Sequence, residues 1–530
     1  MNRFAHFLDA LSYEPRRNGK LDLMTSFFAS VPDPERGYAL AALTGGLTFR
    51  HAKPALIRDL VMARCDPVLF ALSYDYVGDL AETAALIWPA QPGANHAPAL
   101  ADVVETLHST GKTRIPHLIE TWLDALDANG RWALIKLVTG GLRVGVSARL
   151  AKVAVARFGN LPVADVEELW HGLSVPYTEL FAWAEGRTDK PAHAARAPFR
   201  PVMLAHPIAE SDFATLDPAA FRAEWKWDGI RVQAVGEGGV RRLYSRTGDD
   251  ISSAFPDIID ALTFEAALDG ELLIGSGGQV RPFADLQKRL NRKTVSKKIL
   301  AARPAFIRVY DALVLDGEDL RALPFDARRA RLQTWHDTVQ PPRIDLSEQV
   351  PFAGWQALAA ARAANMSTGV EGLMLKRADS AYEAGRPKGR WWKWKRDPHS
   401  IDTVLMYAQR GHGKRSSFYS DYTFGVWRGD ELVPVGKAYF GFTDAELKQI
   451  DAFVRAHTTN RFGPVREVVH TGDEGLVLEV AFDGLNRSAR HKSGVAMRFP
   501  RIARLRWDKR PGDADTLATL TTLLPPEDTA

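Results

Sequence analysis

The first 200 residues carry the spacing of amphipathic helices. Apolar residues that recur three and four positions apart share one helical face, and two such runs stand out: Leu118, Trp122, Leu123 and Leu126, then Leu134, Leu137 and Val138. Few segments there alternate between apolar and polar positions as strands do, so an all-α domain is predicted over residues 1–200. The tetrapeptide Thr-Gly-Gly-Leu occurs at 44–47 and again at 139–142, which indicates either two similar helical halves or a coincidence.

The pattern then changes to a mixture of strands and helices, which predicts an α+β domain over residues 201–397. Pro, Ala and Arg dominate residues 186–207, a composition that suits an extended linker. Residues 223–235 are predicted to form one strand, followed by a hairpin turn at the Gly-Glu-Gly-Gly of 236–239. A nucleotide-binding loop is the alternative interpretation of these glycines, although no helix start follows them.

The last region, residues 398–530, predicts a small β-barrel from four short apolar runs: 404–407, 423–427, 433–439 and 476–482. One helix interrupts these strands. Thr443 and Glu446 have the spacing of a capping box, and four apolar residues supply the buried face of the helix: Leu447, Ile450, Phe453 and Val454. The tail after Pro511 is expected to be partly disordered.

The amino-acid composition excludes only a few classes of protein. With 46% hydrophobic and 25% charged residues the chain is typical of a globular protein, and its net charge of +4 favours no particular partner. No apolar run approaches the roughly 18 residues of a membrane span and no secretory signal is visible, so a cytoplasmic location is expected. The single cysteine, Cys65, permits neither an internal disulfide nor a cysteine-rich zinc site.

Candidate chemistry centres on Glu224, Lys226 and Asp228, which would share one face of a strand. No G-x-x-x-x-G-K-[ST] loop occurs in the chain, so a phosphate-cradling P-loop is not available. A lysine between carboxylates is usually a surface ion pair. The flanking Trp225 and Trp227 instead indicate a partly buried strand, and a buried lysine near other cations can lose its proton and act as a nucleophile.

Three later segments supply acidic and basic partners. Residues 268–272 place acidic groups beside a tight turn, and residues 371–376 begin with an acid and end with a lysine. Residues 391–396 alternate aromatic and basic side chains, so a strand there would separate two lysines from two buried tryptophans: Lys393 and Lys395 from Trp392 and Trp394. Aligned ammonium groups repel each other unless an anion such as a triphosphate lies between them. The alternative is a solvated basic edge strand.

Taken in order, these segments resemble the motifs of the covalent nucleotidyltransferase superfamily, and specifically of bacterial-type, three-domain ATP-dependent DNA ligases. The matching elements are Lys226-Trp227-Asp228-Gly229 with Arg231 (K-x-D-G-x-R), Ser245-Arg246 (S-R), Asp269-Gly270-Glu271 (D-G-E), Val309-Tyr310-Asp311, residues 371–376 (E-G-x-x-x-K), Trp391 with Lys393 and Lys395 (W-x-K-x-K), and Arg506 with Asp508 and Lys509 (R-x-D-K). Residues 142–147 are similar to the L-R-x-G-V element of the ligase helical domain, and residues 413–415 to a basic loop of the ligase β-barrel.

The resemblance implies a fold and an activity. The fold is an all-α DNA-binding domain (residues 1–200), an α+β adenylation domain (201–397) and a C-terminal OB-fold β-barrel (398–530). The activity is the sealing of nicked double-stranded DNA by a monomer that uses ATP and Mg²⁺. It proceeds through lysyl-AMP and an adenylated 5′-phosphate, and it serves DNA repair, recombination or replication.

The resemblance also assigns roles to individual residues. Lys226 is the implied nucleophile, and Glu271 and Glu371 are the implied metal ligands. Nucleotide binding is implied for Glu224 at the adenine amino group, for Tyr310 stacked on the adenine ring, and for Arg231, Arg246, Glu271, Trp391, Lys393, Lys395, Arg506 and Lys509. DNA binding is implied for Arg143, Gly145, Lys414 and Arg415. Ordinary ion pairs are the alternative at two positions: Glu371 with Lys376, and Arg506 with Asp508.

Other classes stay open at this point. Capping guanylyltransferases and RNA ligases share the catalytic core, but they need no long helical region before it. NAD-dependent ligases resemble chains with a cysteine-ligated zinc module, which Cys65 alone cannot build. A catalytically inactive DNA-binding scaffold would gain nothing from a buried lysine, which is costly to keep.

Overall fold

The computed structural model describes residues 1–77, 79–89, 96–191, 196–276, 278–290, 292, 295–365, 369–410, 418–462, 465–488 and 491–524. The chain folds into two compact units. The first consists of Met1–Gly159, Val175–Ala184 and Asp397–Ala530, and the second of Asn160–Ser174 and Glu185–Arg396. The domain boundaries expected from the sequence stay a prediction.

The N-terminal region is helical, as expected. Its helices are α1 (Asn2–Tyr13), α2 (Arg17–Ser30), α3 (Glu35–Thr44), α4 (Pro54–Arg64), α5 (Pro67–Val77), α6 (Leu80–Ile87), α7 (Leu100–Ser109), α8 (Ile115–Ala125), α9 (Ala128–Thr139), α10 (Ala148–Phe158), α11 (Val163–Leu169) and α12 (Thr178–Ala184). Helix α11 belongs to the second unit and the others to the first. No helix in the described ranges combines the length and the apolar content that a bilayer crossing requires.

The apolar spacing located α8 and α9 and predicted the buried face of α8 in part. Of its four predicted residues, Leu123 and Leu126 are buried and Leu118 and Trp122 are half-buried; Ile115 and Ile119 complete the buried face. In α9, the three predicted apolar residues are all buried.

The two Thr-Gly-Gly-Leu segments mark the ends of two helices. Helix α3 ends at Thr44 and α9 at Thr139, and each is followed by a glycine with positive φ, +74° at Gly45 and +71° at Gly140. Glycine adopts this left-handed conformation without strain. The local structure is therefore the same at both segments, and the wider similarity of two helical halves stays a prediction.

Two β-sheets form the core of the second unit. Its elements are β1 (His206–Pro207), β2 (Phe221–Trp227), β3 (Ile230–Glu237), β4 (Val240–Ser245), α13 (Pro256–Ala261), β5 (Ala266–Ser276), β6 (Gln279–Val280), α14 (Phe283–Gln287), α15 (Lys297–Ala302), β7 (Ala305–Leu315), β8 (Glu318–Asp319), α16 (Phe325–Val339), β9 (Ile344–Leu346), β10 (Gln349–Val350), α17 (Trp355–Ala364), β11 (Val370–Arg377) and β12 (Trp391–Lys395). One sheet has the order β1-β12-β11-β2-β10. The other has the order β4-β3-β5-β7-β8, with β6 on β5 and β9 on β7.

The prediction of one strand over 223–235 is wrong, because the chain turns at Asp228 and Gly229. Strands β2 and β3 belong to different sheets, so the chain crosses from one sheet to the other at this turn. The amide of Asp228 donates to the carbonyl of Gly369 at 2.6 Å, and a Cβ on Gly229 would lie 2.4 Å from the carbonyl oxygen of Leu272. A side chain at position 229 would therefore collide with the neighbouring strand.

The remaining elements of the first unit form a β-rich region. They are β13 (His399–Arg410), β14 (Tyr419–Arg428), β15 (Glu431–Ala438), α18 (Asp444–Ala456), β16 (Thr458–Phe462), β17 (Val465–Val468), β18 (Val477–Phe482), β19 (Gly484–Arg487), β20 (Val495–Arg498), β21 (Arg501–Arg506) and α19 (Leu517–Thr521). The long strand β13 pairs with β14, β17 and β18 along different parts of its length, as strands that curl toward a barrel do. The four predicted apolar runs fall on β13, β14, β15 and β18.

Two local predictions are confirmed. Gly238 and Gly239, with φ of +57° and +74°, join β3 to β4 in a tight hairpin. The capping box of α18 is complete, because the amide of Glu446 donates to Thr443 Oγ1 at 3.2 Å and the amide of Thr443 donates to Glu446 Oε2 at 2.7 Å. The four apolar residues predicted for this helix are buried.

The tail after Pro511 is expected to be partly disordered. Its residues up to 524 are ordered, and residues 525–530 lie outside the described residues, so partial disorder stays a prediction. The carbonyl of Pro511 accepts a hydrogen bond from Trp427 Nε1 at 2.6 Å, and Leu520 in α19 is fully buried. These contacts join the tail to strands that lie far from it in sequence, so no local sequence pattern predicts them.

Candidate active site

Three charged side chains meet on the sheet that contains β2, β11 and β12. Glu371 on β11 lies between two lysines, with Oε1 2.9 Å from Lys226 Nζ on β2 and Oε2 3.1 Å from Lys395 Nζ on β12. Burial would raise the pKa of the Glu371 carboxyl, but the two ammonium groups outweigh burial and the pKa lies below its ordinary value. The charged carboxylate therefore holds two cations side by side.

A β-bulge sets the position of Glu371. Gly372 stands opposite both Lys226 and Lys395 in the strand pairing, and the register with β2 shifts immediately before it, so Glu371 is the extra residue. Gly372 has φ of +145°, and a Cβ there would lie 2.2 Å from the carbonyl oxygen of Trp394. Glycine is required after the glutamate because the neighbouring backbone leaves no room for a side chain.

Glu224 and Lys376 form a buried ion pair in the same sheet. Lys376 Nζ donates to Glu224 Oε2 at 3.0 Å and lies 4.3 Å from the ring centre of Tyr310. The alternative pairing of Lys376 with Glu371 is therefore wrong. Glu224 Oε1 is also buried and accepts no hydrogen bond from any described residue. An unpaired buried acceptor is costly, so this position suits a ligand that brings an N–H group.

Glu271 and Tyr310 belong to the second sheet and lie close to the lysines of the first, Glu271 to Lys226 and Tyr310 to Lys376. Tyr310 lies where the register between β5 and β7 shifts, and its carbonyl accepts a hydrogen bond from Lys376 at 3.4 Å. Burial raises the pKa of Glu271 to about 8; Lys226 opposes this rise and Glu371 adds to it. The Glu271 carboxyl is therefore mostly protonated near pH 7.

Arg231 is held by protein groups. Its Nε and Nη2 donate to the two carboxylate oxygens of Asp269 at 3.0 and 2.6 Å, and its Nη1 donates to the carbonyl of Met203 at 2.7 Å. The hydroxyl of Tyr382 donates to the same Asp269 at 2.6 Å. These bonds make Arg231 a support for the fully buried aspartate. Phosphate binding by Arg231 stays a prediction.

The other predicted nucleotide-binding residues of this unit lie at different depths. Lys393 shares its side of β12 with Lys395; burial lowers the pKa of Lys393, and Lys395 lowers it further. Arg246 is exposed just after β4 and lowers the same pKa. Trp391 is fully buried, with its ring centre 4.8 Å from Lys376 Nζ.

Known proteins of one family are similar to this chain over most of its length. The family model described as ATP dependent DNA ligase domain matches residues 202–395, and the one described as ATP dependent DNA ligase C terminal region matches residues 415–509. A protein of Koribacter versatilis (strain Ellin345) named "Probable DNA ligase" is 32% identical over 555 residues, which cover 98% of this chain and 95% of the relative. The chain belongs to the family of ATP-dependent DNA ligases. Enzymes of this family catalyse phosphodiester bond formation.

Two further comparisons agree with this family. A "DNA ligase" of Thermococcus onnurineus (strain NA1) is 30% identical over 422 residues, which cover 77% of this chain and 74% of the relative. The solved structure described as Pmar-Lig_PreS3 covers 95% of this chain and 99% of its own, with a TM-score of 0.57 and 16% identity, and so shows the fold alone. The ligase thus has nucleotidyltransferase and OB-fold-type domains, with a helical region before them.

In the first unit of the ligase, Arg506 and Lys509 have acidic partners. Arg506 Nη1 lies 3.1 Å from Asp402 and Nη2 lies 2.8 Å from Asp508, while Lys509 Nζ lies 2.5 Å from the same Asp402. The alternative pairing of Arg506 with Asp508 is confirmed. A role for Arg506 and Lys509 on the nucleotide stays a prediction.

The predicted DNA-binding residues of the ligase are partly described. Arg143 is exposed and has φ of +48°, and Gly145 has φ of +68°. The buried ammonium of Lys20 supports this loop, because its Nζ donates to the carbonyl of Val144 at 2.5 Å. A Cβ on Gly145 would lie 2.8 Å from the same Nζ. Lys414 and Arg415 lie outside the described residues.

A magnesium ion would find few protein ligands in this ligase. Within the ranges that the structure describes, no group of three or more His, Cys, Asp and Glu side chains could hold a metal. Mg²⁺ usually takes one or two carboxylates together with waters and substrate phosphates. Glu271 and Glu371 fit that ligand set, since they lie close enough for Glu371 to raise the pKa of the Glu271 carboxyl.

Two contacts of the ligase site had no signal in the sequence. The hydroxyl of Tyr382 reaches Asp269 over a separation of 113 residues, and the guanidinium of Arg308 stacks on Trp227. Neither Tyr382 nor Arg308 stands at a distinctive spacing, so sequence reasoning could not have singled them out.

Proposed function

We propose that this ligase seals nicks in duplex DNA through a covalent lysyl-AMP on Lys226. The observation that carries the proposal is the position of Lys226 Nζ. It lies 2.9 Å from Glu371, which also binds Lys395, and close enough to Glu271 to change the pKa of its carboxyl. Transfer of phosphoryl groups depends on fixed charges of this kind around the reacting atoms.

In the first step, Lys226 Nζ gives up a proton to solvent and attacks the α-phosphorus of ATP as a free amine, and the nitrogen loses a second proton to solvent as the N–P bond forms. The bond from the α-phosphorus to the bridging oxygen breaks, and pyrophosphate leaves with the bonding electrons. Lys393 and Lys395 would neutralise the charge that develops on the departing phosphates.

In the next two steps, AMP moves to DNA and is then released. The 5′-phosphate at a nick displaces Lys226 Nζ from the adenylate, which frees the lysine. The 3′-hydroxyl then attacks the activated 5′-phosphate and releases its proton to solvent, a phosphodiester bond forms and AMP leaves. Both steps are displacements at phosphorus, so alignment of the two DNA ends supplies much of the acceleration.

Glu224 and Tyr310 would select the base. Glu224 Oε1 is the buried acceptor without a donor, and the amino group of adenine supplies that donor. Guanine presents a carbonyl oxygen at the same position, which would face the carboxylate as a second acceptor. Tyr310, beside the Lys376 ammonium, would stack on the ring. The proposal therefore favours ATP over GTP.

Glu271 and Glu371 would hold Mg²⁺, which would neutralise charge on the triphosphate. The carboxyl of Glu271 has a pKa of about 8, so binding of a cation there would release a proton near pH 7.

The helical region and the OB-fold region would bind the duplex mainly through its phosphates. In this proposal the helical domain spans residues 1–200, the adenylation domain 201–397 and the OB-fold domain 398–530. The residues proposed for this contact are Arg143, Gly145, Lys414 and Arg415, and those proposed to orient pyrophosphate are Arg506 and Lys509. The enzyme would act as a cytoplasmic monomer on nicks left by repair, recombination or replication.

Intact-mass spectrometry tests the mechanism. Protein first treated with pyrophosphate, to remove resident AMP, is incubated with ATP and Mg²⁺ without DNA. We expect a gain of one AMP that nicked DNA discharges, no gain in Lys226→Ala, and an unchanged gain in Lys388→Ala, which removes an exposed lysine of the same unit. A gain from GTP instead would indicate a guanylyltransferase, and discharge by nicked RNA alone would indicate an RNA ligase. No gain in mass from ATP, GTP or NAD would indicate that the chain is a catalytically inactive DNA-binding scaffold.

A further inference from the structure

Trp227, the last residue of β2, stacks on a buried arginine of the other sheet. The guanidinium carbon of Arg308, on β7, lies 4.2 Å from the centre of the Trp227 ring, within the range of cation–π attraction. Arg308 donates two hydrogen bonds to Asp345 on β9, at 2.9 and 2.6 Å, and is 9% exposed. Trp227, Arg308 and Asp345 therefore form a stack that connects the two sheets next to Lys226.

The stack lies where the chain leaves the sheet that carries Lys226. Trp227 pairs with Val370 of β11, and the next amide, of Asp228, bonds to Gly369. These contacts hold one side of the chain as it crosses between the sheets, and the Arg308 guanidinium holds the ring of Trp227 from the other side. The backbone next to Lys226 is thus fixed from both sheets.

We infer that Arg308 and Asp345 are positioning residues that act on Lys226 through the ring of Trp227. The inference rests on the proposed lysyl-AMP chemistry. By fixing the residue after the nucleophile, the stack fixes the direction in which Nζ approaches phosphorus, and a displacement of about 1 Å can slow such a reaction about 100-fold. The proposed contacts to ATP use other residues, so the stack acts on the rate of adenylation and not on the affinity for ATP.

The ring of Trp227, and not its N–H group, carries this effect. Trp227 Nε1 is buried and donates to none of the described residues, so its loss removes no hydrogen bond. A phenylalanine keeps an aromatic face for the guanidinium, whereas a leucine fills space without one. Trp227→Phe should therefore rescue what Trp227→Leu loses.

Single-turnover formation of lysyl-AMP, measured over a range of ATP concentrations on the full-length ligase, tests the inference. We expect the maximum rate to fall roughly 10- to 100-fold in Arg308→Met and in Trp227→Leu, while the half-saturating ATP concentration stays within about 2-fold. Trp227→Phe should keep a rate near that of the natural protein. The double variant Trp227→Leu/Arg308→Met should be no slower than the slower single variant, because both changes remove one stack.

Trp355→Phe provides the matched control. Trp355 packs against the other face of the sheet that carries Lys226, so its truncation should leave the adenylation rate unchanged. Arg308→Met leaves Asp345, whose side chain is 41% exposed, in contact with water, and urea unfolding of each variant checks that it folds.

Each outcome decides between the inference and its rivals. Unchanged maximum rates in Arg308→Met and Trp227→Leu would overturn the inference and leave the lysyl-AMP mechanism standing. A raised half-saturating ATP concentration at an unchanged maximum rate would also overturn it, since Arg308 would then be a nucleotide ligand. Failure of the natural protein to form any adduct would overturn the proposed function, and this inference with it.

Discussion

Lys376 Nζ lies 3.0 Å from Glu224 Oε2 in an ion pair that is closed to solvent, with each residue 1% exposed. The Lys376 ammonium also lies within 5 Å of three aromatic rings, those of Tyr310, Trp391 and Phe325. One lysine thus holds the carboxylate that is proposed to read adenine and the ring that is proposed to stack on it. The geometry of the proposed adenine site therefore depends on this pair.

Lys376→Met should destabilise the second unit by about 3–5 kcal/mol, because it leaves the Glu224 carboxylate buried without a counter-charge. The measurement is the free energy of unfolding from urea titration, followed in the unit that contains the two sheets. Arg377→Met is the control: Arg377 pairs with Asp379 at the surface, where the two side chains are 44% and 61% exposed, and such a pair contributes little. Equal stability of the two variants would contradict the importance given to the buried pair.

Gly372→Ala should disrupt the strand pairing beneath Lys226. An added Cβ would lie 2.2 Å from the carbonyl oxygen of Trp394, and the backbone has φ of +145°, so we expect a loss of at least about 2 kcal/mol in the free energy of unfolding. We also expect slower adenylation, because the bulge places Glu371. Gly354→Ala is the control, since nothing lies within 4 Å of its added Cβ. A Gly372→Ala protein with natural stability and rate would show that the bulge is dispensable.

The sequence predicted those residues of the site whose reactive side chains stand at the spacing of a short motif. Lys226, Glu371 and Lys395 stand in short motifs, and strand pairing brings them together as the motif order implies. The capping box of α18 was predictable for a similar reason, since Thr443 and Glu446 satisfy each other within one turn of helix.

The other features of the site depend on contacts between residues far apart in the chain, which no local sequence pattern indicates. Apolar and polar residues alternate on both sides of Gly229, and the alternation changes phase between Trp227 and Ile230. That change marks an irregularity, but it does not indicate that the chain crosses to another sheet, which depends on the pairing of β3 with β5. The motif around Arg231 predicts a phosphate ligand, but in the fold Arg231 donates hydrogen bonds to Asp269 and Tyr382. Residues far apart in the chain decide these contacts, and no alternation or spacing encodes them.

Stability without nucleotide and metal should depend on pH through Glu271. Its pKa is raised to about 8 from an ordinary value of 4.5, so between these values the folded state keeps a proton that the unfolded chain has lost. The free energy of unfolding therefore falls as pH rises through this window. Glu271→Gln stays neutral at every pH and should become more stable than the natural protein as pH approaches 8.

The control for this trend is Glu383→Gln, which removes an exposed carboxylate of the same unit and should not reproduce it. Urea unfolding of the three proteins at pH 5, 6, 7 and 8, without ATP or divalent ions, provides the comparison. A constant difference between Glu271→Gln and the natural protein over this series would show that Glu271 does not keep its proton in the fold.

Arg143→Ala should weaken binding of nicked duplex DNA and reduce its dependence on salt. Arg143 is exposed in the loop that Lys20 supports, so its guanidinium is free to neutralise one phosphate. Each phosphate contact contributes about 0.9 to the slope of log K against log salt concentration, and the variant should lose about that much. Arg157→Ala is matched in charge and lies in the same helical region, where Arg157 pairs with Asp22 at the surface. If Arg157→Ala lowered the slope as much as Arg143→Ala, the effect would come from net charge and not from a phosphate contact at the loop.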